Sequence, residues 1–357
     1  MTAPNGATLR PDQLGCYLLP GRIIDPTDAT GDALAAERLG LRSVWISERW
    51  EQKEAPVLLG AIAASTTRVR LGTAMVHPNT RHPMVLAAAG LTLQAVSRGR
   101  FTLGIARGIP GVWSSMGLPP VTSEVLRDCA SILRRLWNRE SVTYSGPLGE
   151  LDGVSAHHGY DGQPPPIAAA AIGRETLALA GAVFDGVILH PLLSADAVAR
   201  SAELVRTAAA DAGRDPSAVR VYATVVVAPD LPTPQTETVV GGRAITYLQT
   251  PVLGDAIARA NGWDPGEVER IRHHPAFGSL GRAGVASLAD QRHTLDELAE
   301  VARDLPEGWL RDVTAVGSVP DVAARLQRYL EAGADELILH GPRPTELGPL
   351  VEHCQRL

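Results

Sequence analysis

A strand–helix–strand unit in the first third of the chain places the strongest constraint on its fold. Residues 69–75 are apolar and partly β-branched, which is typical of a buried parallel strand. Residues 85–96 are rich in alanine and leucine, and their length favours a helix that packs on a sheet. The run S-R-G-R at 97–100 ends this helix, and residues 101–106 predict a second buried strand. The unit therefore predicts two parallel strands joined by a helix, the repeating element of α/β proteins.

The same alternation recurs about eight times along the chain. The apolar runs predict strands at 14–19, 43–47, 69–75, 101–106, 167–171, 185–190, 219–228 and 336–340. Helix-like segments follow them at 28–40, 55–65, 85–96, 123–137, 173–181, 195–212, 319–333 and 345–356. Right-handed crossovers of this kind form either an open doubly wound sheet or a closed barrel. Eight units favour the closed (β/α)8, or TIM, barrel.

Two segments interrupt the alternation, after the fourth and the seventh strands. Residues 108–121 are rich in glycine and proline and predict a long loop, and residues 141–153 predict a small hairpin outside the main sheet. Residues 229–311 open with three prolines and contain helix-like runs at 255–261 and 295–304. We interpret this longer segment as a helical insertion within a single domain that spans residues 1–357.

Composition excludes several classes of protein. The chain has 357 residues, of which 45% are hydrophobic and 20% charged, so it can bury a large core and is not disordered throughout. The net charge of −6 and the lack of a Lys/Arg cluster argue against nucleic acid or a membrane surface as partner. Three scattered cysteines without C-x-x-C argue against a disulfide framework or a zinc site. With no signal-peptide pattern and no apolar run near ~20 residues, we expect a cytoplasmic protein.

Polar side chains follow the second and third predicted strands, where ligands bind in α/β proteins. Glu48, Arg49 and Trp50 come directly after the second strand. Glu48 is an acid, whereas Arg49 does not release its proton near neutral pH. His77 follows the third strand and is a candidate acid–base residue, because histidine titrates near neutrality. His190 also follows a strand, and we interpret it as a hydrogen-bonded structural residue.

Further candidates follow the fourth and fifth strands. Arg107 and Gly108 come after the fourth strand, at a position suited to the edge of a coenzyme or substrate. The run A-I-G-R at 171–174 joins the fifth strand to a helix. A helix N-terminus with a glycine offers free N–H groups to a phosphate, and Arg174 would add a charge-assisted contact.

Two other types of site are not favoured. The doublets His157–His158 and His273–His274 are not at strand ends, and adjacent histidines on a regular element point apart, so we expect no metal site. The glycines at 104, 108 and 111 do not form G-x-G-x-x-G, so the dinucleotide fingerprint of an open sheet is absent.

Several segments carry a family resemblance. They are A-E-R-L-G-L-R-S-V-W-I-S-E-R, R-V-R-L-G-T-A-M, S-R-G-R-F-T-L-G-I-A-R-G, A-L-A-G-A-V-F-D-G-V-I-L and V-G-S-V-P-D-V-A-A-R-L-Q-R-Y-L-E-A-G-A-D-E-L-I-L. On these segments the chain resembles the bacterial luciferase-like monooxygenases, and within them the oxidoreductases that use the deazaflavin coenzyme F420. The resemblance implies a luciferase-like TIM barrel with the tricyclic ring of the coenzyme in its mouth.

The resemblance also implies roles for particular residues. It places a cis peptide between Ala74 and Met75, pressed against the ring, and the coenzyme phosphate near Ala171, Ile172, Gly173 and Arg174. Many relatives carry Asp-His where this chain has Glu48-Arg49, with the histidine near the reactive carbon. Another relative has a catalytic glutamate where this chain has Ile109. On this basis the catalytic candidates are Glu48, Arg49 and His77, and Trp50, Arg107 and Gly108 join the coenzyme site.

The resemblance implies an oxidoreductase that transfers a hydride between F420 and a small organic substrate, which the sequence does not identify. One alternative is an FMN-dependent luciferase-like monooxygenase. Another is a barrel that binds the coenzyme without turnover, because the usual histidine and glutamate are replaced. The resemblance also implies a homodimer. Trp113, Met116, Trp263 and Phe277 suggest an apolar substrate.

Overall fold

Eight parallel strands close into a ring in the computed structural model, which describes residues 9–21, 25–277 and 288–356. The strands are β1 (Leu14–Tyr17), β2 (Ser43–Ile46), β3 (Arg70–Thr73), β4 (Phe101–Ile105), β5 (Val142–Gly146), β6 (Gly149–Val154), β7 (Ile167–Ala171), β8 (Gly186–Leu189), β9 (Arg220–Pro229), β10 (Thr314–Gly317) and β11 (Glu336–His340). The ring runs β1-β2-β3-β4-β7-β8-β9-β11, and β11 pairs with β1 to close it. This arrangement confirms the predicted TIM barrel.

Helices surround the ring and fill the connections. They are α1 (Asp28–Leu39), α2 (Ala55–Ser65), α3 (Pro83–Val96), α4 (Pro110–Ser115), α5 (Ser123–Trp137), α6 (Arg174–Val183), α7 (Ala195–Asp211), α8 (Thr233–Leu248), α9 (Pro251–Asn261), α10 (Pro265–Arg272), α11 (Leu295–Ala302), α12 (Trp309–Val313), α13 (Val319–Glu331) and α14 (Gly348–Arg356). No helix among the described residues combines the length and the apolar character needed to cross a bilayer.

Side chains alternate between the inside and the outside of the ring, as the pleat of a strand requires. The inward side chains form one small cluster, made of Trp45, Ala74, Ala168, Ile188, Tyr222 and Ile338. Their neighbours on the same strands, such as Val187 and Leu189, belong to the larger cluster that the outer helices cover. Tyr17, Met75 and Ala170 are only partly buried and pack on the inner cluster near the carboxyl ends of their strands. These three residues form the floor of the barrel mouth.

The connection between β4 and β7 differs in part from the sequence prediction. The hairpin is confirmed, because β5 and β6 form a separate two-stranded antiparallel sheet. The segment 108–121 is not a continuous loop, because it contains α4, which begins at Pro110. Proline suits the first turn of a helix, and burial of Trp113 fixes this short helix on the barrel.

Among its described residues, the connection between β9 and β11 contains six α-helices, α8 to α13, and an additional strand, β10. The sequence did not predict α8 or β10; β10 pairs with the carboxyl half of β9 beyond the ring. Glycines at 241 and 242 weaken the helix signal of α8, yet they let α11 approach. A Cβ atom on Gly242 would lie 2.8 Å from the carbonyl oxygen of Leu295. Part of the predicted insertion, residues 278–287, lies outside the described residues.

The insertion shares an apolar cluster with the barrel. Val240 and Ala244 on α8 are buried together with Val226 and Ala228 of β9 and with Leu192, which follows β8. The rings of Trp263 and Trp309 stack at the edge of this cluster, with centroids 4.2 Å apart. The insertion therefore covers one side of the barrel mouth, above β8 and β9.

Candidate active site

The predicted site residues follow four strands that are neighbours in the ring. Glu48 follows β2, His77 follows β3, Arg107 follows β4, and Gly173 follows β7. Because all four strands are parallel, these residues lie at the same end of the barrel. The structure thus brings the residues predicted from separate segments to one half of the mouth.

Glu48 belongs to a buried group of charges that we call the carboxylate-rich cluster, made of Glu48, Glu54 and Arg81. The Glu48 side chain is fully buried, and Arg81 Nη1 donates to its Oε2 at 2.9 Å. Arg81 Nη2 contacts carboxylate oxygens of both Glu48 and Glu54. The backbone N–H of Glu48 donates to the carbonyl of Met75 at 3.2 Å, which joins the cluster to the floor of the mouth. One guanidinium therefore fixes the position of the predicted catalytic carboxylate.

His77 lies beside this cluster in an aromatic environment. Its Nδ1 is 4.0 Å from Oε2 of Glu48 and has no hydrogen-bond partner among the described residues. Its ring centroid is 4.8 Å from that of Trp113 and 5.3 Å from that of Trp50. Burial, with a smaller effect of Arg81, lowers the pKa of His77 to about 3. The imidazole is therefore neutral at physiological pH, and its acid–base role stays a prediction.

The two predicted residues after β4 have different functions in the fold. Trp113 Nε1 donates to the carbonyl of Arg107 at 2.7 Å, and the indole fills the space beside Gly108. Gly108 has a φ of +66°, and a Cβ atom there would lie 2.1 Å from the Trp113 ring, so only glycine fits. The Arg107 guanidinium contacts Ser123 at the start of α5 and donates to Glu175 in the first turn of α6 at 3.0 Å.

The peptide bond between Ala74 and Met75 is cis, which confirms the prediction. Ala74 is buried, and its carbonyl accepts a hydrogen bond from the Tyr17 hydroxyl. The Tyr17 ring lies 4.8 Å from the ring of His340, which ends β11. Tyr17 therefore connects the Ala74–Met75 segment to the opposite side of the barrel mouth.

The N-terminus of α6 is exposed beside these residues. Gly173 is the N-cap residue, and no side chain caps the helix there. Gly173 and Arg174 are both exposed, and space is open around the Gly173 α-carbon. Free N–H groups at the positive end of a ten-residue helix can bind an anion such as a phosphate. The anion site expected at 171–174 stays a prediction.

Arg49 does not join Glu48 but belongs to a second buried group, which we call the cation-rich cluster: Arg49, Lys53, Arg243 and Asp290. The guanidinium of Arg49 donates to both carboxylate oxygens of Asp290, at 3.3 and 3.1 Å. Its Nε donates to Glu51 at 3.2 Å. Arg243 Nη1 donates to the same Asp290 carboxylate at 3.2 Å. The carboxylate of the insertion therefore fixes the loop after β2 against α8.

Lys53 is the member of this cluster with the most perturbed pKa. Its side chain is buried, and Nζ donates to the carbonyl of Leu19. Burial lowers its pKa to about 7, and the nearby Arg49 and Arg243 act in the same direction. An amine in this state exchanges its proton near neutral pH, which no arginine of the cluster does.

Sequence reasoning missed Lys53, Arg243 and Asp290. Asp290 lies 241 residues after Arg49, and no local pattern connects the two. One signal was available for Lys53, since it is the single lysine among 33 lysines and arginines.

The remaining side of the mouth contains two buried histidines. His190 Nδ1 lies within hydrogen-bond distance of the Pro191 carbonyl, and its ring is 4.7 Å from that of Tyr247. Burial lowers the pKa of His190 to about 4, in agreement with the expected structural role. His340 is 2% exposed, and its Nδ1 has no partner among the described residues. Within those residues, no three His, Cys, Asp or Glu side chains are grouped to hold a metal ion.

Comparison with known proteins gives consistent matches over nearly the whole chain. The sequence model of the luciferase-like monooxygenases matches residues 5–336. An F420-dependent glucose-6-phosphate dehydrogenase from Kineococcus radiotolerans is 27% identical over 341 residues, which cover 90% of this chain and 88% of the relative. A 5,10-methylenetetrahydromethanopterin reductase from Methanolobus tindarius is 24% identical over 331 residues, with 91% and 92% covered.

A solved structure matches the fold. The coenzyme F420-dependent tetrahydromethanopterin reductase from Methanopyrus kandleri superposes with a TM-score of 0.78 at 20% identity. The superposition covers 96% of this chain and 99% of that structure. This match confirms the closed barrel, and it includes the half of the chain that contains the insertion.

Proposed function

Because this chain belongs to the luciferase-like monooxygenase family, we propose that it is an oxidoreductase that transfers a hydride between coenzyme F420 and a small organic substrate. The observation that carries this proposal is the accessible floor of the mouth. Tyr17, Met75 and Ala170 are partly exposed above a filled barrel interior. A flat ring can therefore rest at the carboxyl end of the strands, while the interior keeps it out of the barrel. The two relatives named above, which match about nine tenths of this chain, favour F420 as that ring.

The residues around the floor fit this coenzyme. Ala74 is small enough for close approach of a planar ring, and Trp50, with 36% of its surface exposed, offers an aromatic flank. The open N-terminus of α6, with Ala171, Ile172, Gly173 and Arg174, would hold the phosphate of the coenzyme. Arg107 and Gly108 lie between the two sites. When bound, the coenzyme supplies the carbon that accepts or donates the hydride.

Three side chains would act on the substrate or orient it. We assign Glu48 the role of a fixed negative charge at the edge of the ring, because Arg81 holds its carboxylate in place. His77 would give or accept a hydrogen bond as a neutral imidazole, since its pKa is far below neutrality. Arg49 would act as a positioning residue, because Asp290 and Glu51 occupy its guanidinium. These assignments revise the expectation that Arg49 contacts the reacting groups.

The test is a binding titration of the purified protein with oxidised F420 and, in parallel, with FMN, followed by coenzyme and tryptophan fluorescence. We expect saturable binding of F420 and none of FMN over the same range. Arg174→Gln should weaken F420 binding about tenfold, because a charge-assisted contact contributes about 1.5 kcal/mol or more. Arg303→Gln, which removes an exposed ion pair with Glu237 on the insertion, is the matched control and should leave the affinity unchanged.

Other results of this titration favour the other candidates. Saturable binding of FMN without binding of F420 would favour the FMN-dependent monooxygenase. Binding of reduced F420 that no acceptor in a broad panel oxidises would favour a barrel without turnover.

We further propose a single domain, a homodimer and a cytoplasmic location. The apolar cluster that joins α8 to β9 supports the single domain, and the three free, buried cysteines are compatible with a reducing compartment. The family resemblance supports the dimer. Light scattering after size exclusion should give twice the mass of the chain; a mass equal to one chain would overturn the dimer.

A further inference from the structure

The cation-rich cluster contains more positive than negative charge. Arg49, Lys53 and Arg243 are 8%, 4% and 5% exposed, whereas Asp290 is the one carboxylate of the cluster and is 1% exposed. Glu51 contacts Arg49 from the rim, with 40% of its side chain exposed. Because buried charges are stable when they are paired, this excess favours the binding of an anion.

Lys53 has N–H donors left for such an anion, whereas Arg243, whose Nη2 packs against Gly21 and whose side chain also interacts with Tyr247, contributes its positive charge. Lys53 Nζ has three N–H donors, and the Leu19 carbonyl is its one hydrogen-bond acceptor among the described residues. Arg243 uses Nη1 for Asp290, and its guanidinium carbon lies 5.8 Å from the centroid of the Tyr247 ring. The cluster can therefore accept a carboxylate or a phosphoryl group without giving up the contacts of Asp290.

A third buried group lies close to the same two cations. His340 has an Nδ1 without a partner among the described residues, and its pKa is lowered by burial first and then by the charges of Arg243 and Lys53. The His340 ring contacts Tyr17, whose hydroxyl donates to the carbonyl of Ala74. The cation-rich cluster therefore borders the floor on which we place the coenzyme ring, on the side away from the α6 N-terminus.

We propose that Lys53 and Arg243 bind an anionic group of the substrate, a carboxylate or a phosphoryl group, beside the floor of the barrel mouth. The inference rests on the proposed function and deepens it, since it names the class of substrate: an organic anion that is oxidised or reduced at a carbon near its charged group.

Binding of an anion at this site is coupled to a proton. The anion offsets the charge of Arg49 and Arg243, so it raises the pKa of Lys53 from about 7 and the bound complex takes up a proton. Affinity should be constant below this pH, and for a rise of one pH unit in the pKa of Lys53 it should fall by about tenfold in total before it levels off at higher pH. The charged and titratable groups near Lys53 are those after β2, on α8, in the insertion and at the end of β11: Arg49, Glu51, Arg243, Asp290 and His340.

The single lysine makes a direct test available. Protein grown with lysine that carries carbon-13 at Cε gives one side-chain resonance, and its pH titration reports Lys53 alone. We would titrate it without additive, with inorganic phosphate, with acetate, and with acetamide as the neutral control. We expect phosphate or acetate to raise the titration midpoint by about one pH unit, a tenfold preference for the protonated form. Acetamide should leave the midpoint unchanged. The anion with the larger shift identifies the phosphoryl or the carboxylate class.

An unchanged midpoint with both anions would overturn the proposal. An anion effect that disappears when F420 is added would also overturn it, because the site would then belong to the coenzyme. The shift should be lost in Arg243→Gln and kept in Arg303→Gln. If Arg243→Gln does not fold, the wild-type titration still decides. The measurement needs no coenzyme, so failure to bind F420 would count against the proposed function alone.

Discussion

The two charged clusters of the barrel mouth lie near each other and have opposite compositions. The carboxylate-rich cluster has one cation between two carboxylates and joins chain segments 27 and 33 residues apart. The cation-rich cluster has three cations and one buried carboxylate, and it joins the loop after β2 to an insertion about 240 residues later. In the carboxylate-rich cluster Arg81 pairs with both carboxylates, and it fixes the position of Glu48. The cation-rich cluster stabilises the contact with the insertion and retains a capacity for negative charge. The contrast is between a cluster whose charges pair with one another and a cluster whose excess positive charge, in our proposal, binds the anionic group of the substrate.

The two clusters should differ most in the free energy of unfolding that is lost when the residue that bridges each cluster is replaced. These residues are Asp290 in the cation-rich cluster and Arg81 in the carboxylate-rich cluster. Asp290→Asn removes the one buried carboxylate from Arg49 and Arg243, and we expect it to lower the free energy of unfolding by about 3–5 kcal/mol. A guanidinium does not lose its proton, so a change of pH cannot relieve this loss. Urea unfolding at neutral and at mildly acidic pH measures both effects. Glu237→Gln removes the carboxylate of an exposed pair and should change stability by less than about 0.5 kcal/mol.

Loss of the shared partner in the carboxylate-rich cluster should cost less and should depend on pH. Arg81→Gln leaves Glu48 buried without a cation, and we expect a loss of about 3 kcal/mol at neutral pH. Unlike arginine, a carboxylate can become neutral. Below neutrality Glu48 of the folded variant binds a proton that the unfolded chain does not bind. The difference in the free energy of unfolding between the wild type and the variant should therefore become smaller as the pH falls. A deficit that stays the same between neutral and acidic pH would contradict this account. Glu54→Gln, at a side chain that is 39% exposed, should cost less than about 1 kcal/mol.

Removal of Lys53 should change how the free energy of unfolding depends on pH, because the folded protein buries this amine beside two arginines. The pKa of this amine is lowered from 10.5 to about 7 in the folded protein, so above pH 7 the unfolded chain binds more protons and wild-type stability rises with pH. The free energy of unfolding of the wild type should rise, relative to that of Lys53→Met, by at most about 1.4 kcal/mol for each pH unit between about 7 and 9. Unfolding curves at several pH values measure this slope. Parallel pH dependence in the two proteins would show that Lys53 keeps its ordinary pKa.

Local sequence patterns predicted most of the barrel. The strands Ile167–Ala171 and Glu336–His340 have the predicted bounds, because short apolar runs between glycine, proline and charged residues mark strand ends well. The helix Thr233–Leu248 was missed, because the helix propensity of glycine is poor and the contact that requires Gly242 comes from α11. Tertiary packing, which a local pattern does not contain, decided that segment.

In the candidate site, too, local sequence predicted some residues and tertiary packing decided the others. Family resemblance located the half of the mouth that follows β2, β3, β4 and β7, including the cis peptide before Met75. It did not predict that Arg49 pairs with Asp290, because the partner lies in the insertion, where the resemblance carries no motif. Only the fold brings these distant charges together, and so the charge excess around Lys53 could not be derived from spacing.

The burial of the only lysine makes the chain resistant to one class of protease for a definite reason. An enzyme that cuts only after lysine has a single target in the sequence, and in the native fold that target lies beneath the loop that carries Leu19. Cleavage into two pieces therefore requires this loop to open first. When the loop recloses faster than the protease cuts, the rate at which the two pieces form reports the fraction of molecules in which this loop is open.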